Sequence, residues 1–169
     1  WADREGQIFF PLGDMHSSGL IEALVERTGA VVMSRRSFEM AEDSDWFAGN
    51  YELQVPIHVI TDAPPTKHPK EDGGVTFSFH KNFAEAIAGA RNSARGRDVA
   101  IIGERSAVEA AITADEVDEM YLRIVPKMCG AGEPLIKDLR DRRIEFDLFD
   151  VKTTENAVHI HLVRKSAMA

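Results

Sequence analysis

The chain has 169 residues, the length of one domain, and roughly 70% of the unfolded surface can be buried at that size without covalent staples. Apolar residues make up 44% and charged residues 28%, and the single cysteine, Cys129, excludes an internal disulfide framework and a cysteine-rich zinc site. There are 20 Lys and Arg against 28 Asp and Glu, a net charge of −8, which argues against nucleic acid or anionic membrane as a partner. No apolar run is long enough to span a bilayer, and the expected setting is cytoplasmic.

Residues 1 to 14 mix charge, glycine and a short apolar run ending at Pro11, and read as irregular. Ser17 or Ser18 can cap a helix reaching about Arg27, with Leu20, Ile21, Leu24 and Val25 as its buried face and Gly29 as its stop. Ala30 to Met33 is a short strand that runs straight into Ser34-Arg35-Arg36-Ser37 and then a helix through about Ala41. Two adjacent arginines at the carboxyl end of a strand can meet a phosphate by bidentate hydrogen bonds, or can be a solvated surface pair. Trp46, Phe47 and Tyr51, in or beside the acidic stretch from Glu42 to Asn50, are expected to pack on the core rather than form a lid.

Ile57 to Thr61 is the next strand, ending in Thr61-Asp62. Ala63 to Gly74 holds three prolines and reads as loop, Val75 to Phe79 as strand. Asn82 starts a helix that turns Phe83, Ile87 and Ala90 inward and fades near Ala94. Val99 to Ile102 is a strand expected to be buried on both faces, and Gly103 breaks it. Ser106 and Glu109 have capping-box spacing, which predicts a helix starting near Ala107 and burying Val108, Ala111 and Ile112. The turn between is either an ordinary strand-to-helix connection or a ligand site at the carboxyl end of a parallel sheet.

Beyond Asp118 the pattern changes. Glu119 to Pro126 alternates, and Lys127 to Pro134 is a loop with Gly130 and Gly132 that either closes over substrate or is a simple turn. Ile144 to Lys152 and Ala157 to Arg164 form a β-hairpin about Thr153 to Asn156. The expected architecture is therefore α/β, a mostly parallel central sheet between helices, extended by antiparallel strands.

Val31-Val32-Met33-Ser34-Arg35-Arg36-Ser37-Phe38-Glu39 resembles the strand-Met-Gly-Arg-Arg/Lys-Thr-Tyr/Trp-Glu signature of the dihydrofolate reductase fold. Val99 to Gly103 is similar to its cofactor turn, and Val59-Ile60-Thr61-Asp62 to its neighbouring strand end. Val117 to Pro126 followed by Cys129-Gly-Ala-Gly132-Glu-Pro-Leu135 resembles the carboxyl-terminal reductase domain of the bifunctional protein of riboflavin biosynthesis. That resemblance implies a three-layer dihydrofolate reductase-like domain with a carboxyl-terminal hairpin. It implies NADPH as cofactor and hydride transfer to a pteridine-like or ribosylaminopyrimidine-like small molecule, with a homodimer as the assembly. It places Arg35, Arg36 and Ser37 on the adenosine 2′-phosphate and diphosphate, beside Ser34. Thr61 and Asp62 fall at the adenosine end, and Gly103, Glu104, Arg105 and Ser106 at the diphosphate.

Two family glycines are replaced, by Ser34 and Glu104. The second replacement matters more: a carboxylate about 5 Å from a phosphate costs roughly 1–3 kcal/mol. Glu104 therefore motivates a second reading, a relative with weakened cofactor binding that serves as a small-ligand-binding or structural dimer. The family's amino-terminal strand has no counterpart after Trp1 and is expected to precede it. His159 and His161, two apart on a strand, read as surface or dimer-interface residues. His16, Asp14 and His58 are each candidate proton donors, with nothing in the spacing to select one, and Cys129 has no evident histidine partner.

Overall fold

The computed structural model describes residues 19–103, 105–128, 132, 134–136 and 144–165. The expectations for residues 1–18 and for a strand preceding them, for Glu104, for Cys129 and for the Gly130 loop lie outside those residues.

The first described helix, α1 (Leu20–Arg27), turns Ile21 to the core but leaves Val25 42% exposed, so its buried face is narrower than expected. It ends at Arg27, where the Thr28 N–H donates to the Leu24 carbonyl, and the chain is already extended at Thr28. Gly29 is therefore not the stop. It lies in β1 (Thr28–Ser34), where a Cβ would stand 2.5 Å from the Ala94 carbonyl oxygen and 2.8 Å from the Arg97 Cβ. The glycine is there because another backbone crosses it closely.

Every residue of β1 is buried. Three further parallel strands, β2 (Ile57–Ile60), β3 (Phe77–His80) and β4 (Asp98–Ile102), complete a sheet of order β3-β2-β1-β4. Alternation along β1 feeds two cores. Val31 and Met33 join Phe38, Phe47, Leu53, Val55 and Phe77 on one face. Ala30 and Val32 join Phe83, Ala86, Ile87, Ala90 and Ala94 of α3 (Phe83–Ala94) on the other. The result is the three-layer arrangement expected.

On the aromatic face, Phe38 of α2 (Arg35–Glu39) stacks on Phe47 with ring centroids 5.6 Å apart. Phe47 is buried as expected, while Trp46 is 41% exposed at the rim. On the opposite face α3 is capped reciprocally, the Glu85 N–H donating to Asn82 Oδ1 and Asn82 Nδ2 donating to the Glu85 carboxylate. α3 ends through Arg95 in the left-handed region.

Two expectations around β4 need correction. Among the described residues β4 is an edge of the parallel sheet, and Val99 to Ile102 are half-buried rather than buried on both faces. The following helix, α4 (Arg105–Thr113), begins ahead of Ser106, so Ser106 sits within its first turn and cannot be the cap of a Ser106/Glu109 box. Its inward residues are Ala107, Ala111 and Ile112, with Val108 only half-buried.

The antiparallel strands are β5 (Glu119–Ile124), β6 (Phe146–Thr153) and β7 (Val158–Arg164). The hairpin forms as read, but among the described residues these strands make a separate sheet, β5-β7-β6, rather than extending the parallel one. Arg27 spans the seam. Its Nε donates to Asp98 Oδ2 at 2.5 Å, and its two terminal nitrogens to the two Glu119 carboxylate oxygens at 2.9 and 2.8 Å. No helix among the described residues is long and apolar enough to cross a membrane.

Replacing Gly29 by Ala is expected to lower unfolding stability by about 1–3 kcal/mol, because the added methyl meets backbone rather than a flexible side chain. Urea denaturation measures this, and a midpoint equal to the parent's contradicts the assigned role of Gly29.

Candidate functional site

The carboxyl ends of β1 and β2 and the start of α4 converge on one cavity of about 380 Å³. Ser34, Arg35, Arg36 and Ser106 line it, together with Glu39, Ile60, Phe83, Ala107 and Ala110. Ser34 is extended and caps α2, its Oγ accepting the Ser37 N–H at 3.1 Å and donating to Ser37 Oγ at 3.1 Å. This cap starts the helix at Arg35 and sets both arginines on its first turn. Ser34 is only 4% exposed, so it works as a buried hinge of the junction.

Asp62 follows β2 and reaches Arg35, with Oδ1 3.8 Å from Nη1. Arg35 also pairs with Glu39, Nε to Oε1 at 2.7 Å. Thr61 is buried, and its hydroxyl accepts the Ala63 N–H at 3.1 Å, which shapes the turn leading to Asp62. Gly103 fits tightly between the two junctions. A Cβ there would come within 2.7 Å of the Ala107 Cβ and 3.1 Å of Ser34. Arg105 is 3.8 Å from Glu109 on α4. Of the ten residues the sequence singled out, Ser34, Arg35, Arg36 and Ser106 share the cavity wall. Ser37, Asp62 and Gly103 touch that wall, Thr61 and Arg105 adjoin it in the chain, and Glu104 lies outside the described residues.

The chemistry of this set fits an adenosine phosphate. Arginines and hydroxyls border an apolar slot of Ile60, Phe83, Ala107 and Ala110, and Gly103 leaves no room for a side chain between the junctions. Sequence reasoning missed the slot. Phe83 carried a signal, since a large aromatic directly after the Asn82 cap sits at the end of α3 rather than in its middle.

Comparison with solved structures gives the fold. No protein-family model matches the sequence, and no curated protein matches it. Solved structures do match. A protein of Shewanella sp. PV-4, provisionally assigned to riboflavin biosynthesis, is 20% identical with a TM-score of 0.65, over 86% of this chain and 78% of that one. RibD of Acinetobacter baumannii is 14% identical with a TM-score of 0.62, over 98% of this chain and 54% of that one. A diaminohydroxyphosphoribosylaminopyrimidine deaminase/5-amino-6-(5-phosphoribosylamino)uracil reductase of Thermotoga maritima is 10% identical with a TM-score of 0.61, over 97% of this chain and 52% of that one. This chain spans about half the length of the last two. The fold is the dihydrofolate reductase-like α/β fold that these proteins share.

The histidines lie elsewhere. His159 is 7% exposed and His161 Nε2 lies 2.9 Å from the Glu119 carboxylate, its ring stacked on Tyr121 at 4.2 Å. Both are therefore held within the chain rather than displayed on its surface. His58 faces α3 from the middle of β2, away from the cavity wall, with Nδ1 2.9 Å from His80 Nε2 and Nε2 3.0 Å from Ser93 Oγ. No group of three or more His, Cys, Asp or Glu among the described residues could hold a metal.

Burial, and then the His80 charge, push His58 down from 6.5 to about 4. The native state therefore binds fewer protons than the unfolded chain between those values. The contribution of neutral His58 is complete above about pH 6.5 and is lost as pH falls toward 4, on the order of 3 kcal/mol in total. The urea midpoint should fall from about pH 7 to about pH 4.5, and His58→Gln should flatten that slope. An unchanged slope in the variant assigns the acid sensitivity to other groups.

Proposed function

We propose that the chain is a reductase that uses NADPH and acts on a pteridine-like or ribosylaminopyrimidine-like small molecule. The observation that carries this reading is the cavity where the Ser34-Arg35-Arg36 junction and the start of α4 meet, in a fold shared with proteins of riboflavin biosynthesis. A ribosylaminopyrimidine is the substrate class in the name of the Thermotoga protein. The dinucleotide supplies hydride from its nicotinamide when bound. The chain's own residues bind and orient. Arg35 and Arg36 meet phosphate charge, the hydroxyls of Ser37 and Ser106 offer hydrogen bonds, and Ile60, Phe83 and Ala110 exclude water from one face of a flat ring.

NADPH is expected to bind with a dissociation constant below about 1 mM, read by fluorescence titration. Arg36→Ala should weaken it about tenfold or more, the value of a charge-assisted hydrogen bond. Binding weaker than millimolar in the parent protein favours the alternative, a ligand-binding or structural relative without cofactor.

The assembly proposed is a homodimer through β6. Leu148, Phe149 and Val151 are 63%, 71% and 46% exposed on a strand that is paired on one side only among the described residues. An apolar edge of this kind invites a partner strand. Sedimentation velocity should give a dimer that Phe149→Asp dissociates, and a monomeric parent protein contradicts the assembly.

A further inference from the structure

The apolar slot does not end at Phe83 and Ala110. A second, more open cavity of about 480 Å³ lies on their far side, and both residues line the two cavities. Helix α4 runs along this path. Ser106 and Ala110 face the first cavity, and Glu109, Ala110 and Thr113 face the second. At about 1.5 Å per residue, Glu109 stands roughly 4–5 Å and Thr113 roughly 10 Å beyond Ser106 along the helix axis. The charge changes on the way. Arg35 and Arg36 line the first cavity, whereas among the described residues Glu109 is the one charged side chain lining the second. Glu109 is 28% exposed, with Oε2 3.8 Å from Arg105 Nε one turn earlier. Asn82 also lines the second cavity, but its amide caps α3: Oδ1 accepts the Glu85 N–H at 2.9 Å and Nδ2 donates to the Glu85 carboxylate at 2.8 Å. Glu109 is therefore the group placed to read the edge of a ring that lies against Phe83.

Arginines, then an apolar wall, then a carboxylate follow the order of phosphate, flat ring and exocyclic amine in an adenosine phosphate. An ionised carboxylate only accepts hydrogen bonds, and the oxygens of Glu109 offer acceptor sites beyond the one turned to Arg105. The amine at C6 of adenine donates, whereas a 6-oxopurine presents an acceptor at the same place. We propose that Glu109 is a specificity-determining residue that accepts a hydrogen bond from the exocyclic amine of the dinucleotide's adenine, so that the protein discriminates against a 6-oxopurine in that position. This rests on the proposed dinucleotide site and adds what selects its base. A 6-oxygen set against Glu109 loses a charge-assisted hydrogen bond and faces acceptor with acceptor, which weakens binding about tenfold.

Dissociation constants for NADPH and for its analogue with hypoxanthine in place of adenine, measured by fluorescence or calorimetry on the parent protein, Glu109→Gln and Glu109→Ala, test this. The parent should bind NADPH about tenfold more tightly than the analogue. Glu109→Gln keeps the size of the side chain and can donate to the 6-oxygen, so it should shift the ratio toward the analogue at least about threefold. Glu109→Ala should shift it the same way. Loss of the Arg105 pair, which contributes little to folding, bears equally on the phosphates of both dinucleotides and cancels in the ratio. A parent preference below about threefold, or a ratio that moves less than about twofold in either variant, overturns the proposal while leaving the dinucleotide site standing. Failure of both dinucleotides to bind the parent overturns the proposal and the site together.

Discussion

The structure depends on the double burial of β1. A strand with neighbours on both sides and a core on each face must be apolar between its ends, and Gly29 to Met33 meets that condition, with the small polar residues Thr28 and Ser34 at its two ends. Its two sets of alternate residues knit the aromatic core to the alanine-rich core, so neither face can be removed without exposing the other. The same strand carries the chain out of the core at Ser34, and it is this rigid exit that delivers two arginines to a fixed place at the sheet edge. The direct cap from Ser34 to Ser37 leaves little slack between core and site.

The two ends of the parallel sheet are used differently. At the amino end, Arg27 closes the seam between the sheets with Asp98 and Glu119, and Glu119 also accepts from Tyr121 and His161. Arg27, Asp98 and Glu119 are all paired there within the fold. At the carboxyl end Arg35, Glu39 and Asp62 stand on the rim of a cavity, 48%, 54% and 88% exposed. The first arrangement spends its electrostatics on joining elements, and the second keeps them available to a ligand. Exposed pairs such as Arg35 with Glu39 contribute little to folding and exchange partners readily, which suits a binding rim.

Much of this was legible in the residues, for identifiable reasons. The β1 run, the Asn82 cap and the hairpin about residues 153–156 are local signals, and each formed within a residue or two of its expected place. The Ser106/Glu109 spacing was equally local and failed, because α4 starts at Arg105 and absorbs Ser106 into its first turn. Gly29 misled for a different reason. Its requirement is the tertiary approach of Ala94 and Arg97, which no short window contains. The half-exposure of β4 depends on sheet order, and the seam held by Arg27 joins residues more than seventy positions apart. Arg35, Arg36 and Ser106 could be grouped through the resemblance, but the apolar wall of Ile60, Phe83 and Ala110 follows only from how α3 and α4 pack.

The His58 and Glu119 clusters also divide the response to acid. The paired Arg27 guanidinium holds the Glu119 carboxyl down to about 2, so its contribution is complete above the ordinary value of 4.5 and is lost only as pH falls toward 2. His58 has already given up most of its contribution by then, since it titrates between 6.5 and about 4. Mild acid therefore lowers the stability of the whole fold through His58 before the Glu119 carboxyl contributes. Phe83 begins the helix that His58 packs against and lines the cavity, while the arginine junction is anchored in β1 and capped by Ser34. The site is thus bounded by a capped strand exit on one side and, on the other, by a helix that rests on His58 and its partners His80 and Ser93.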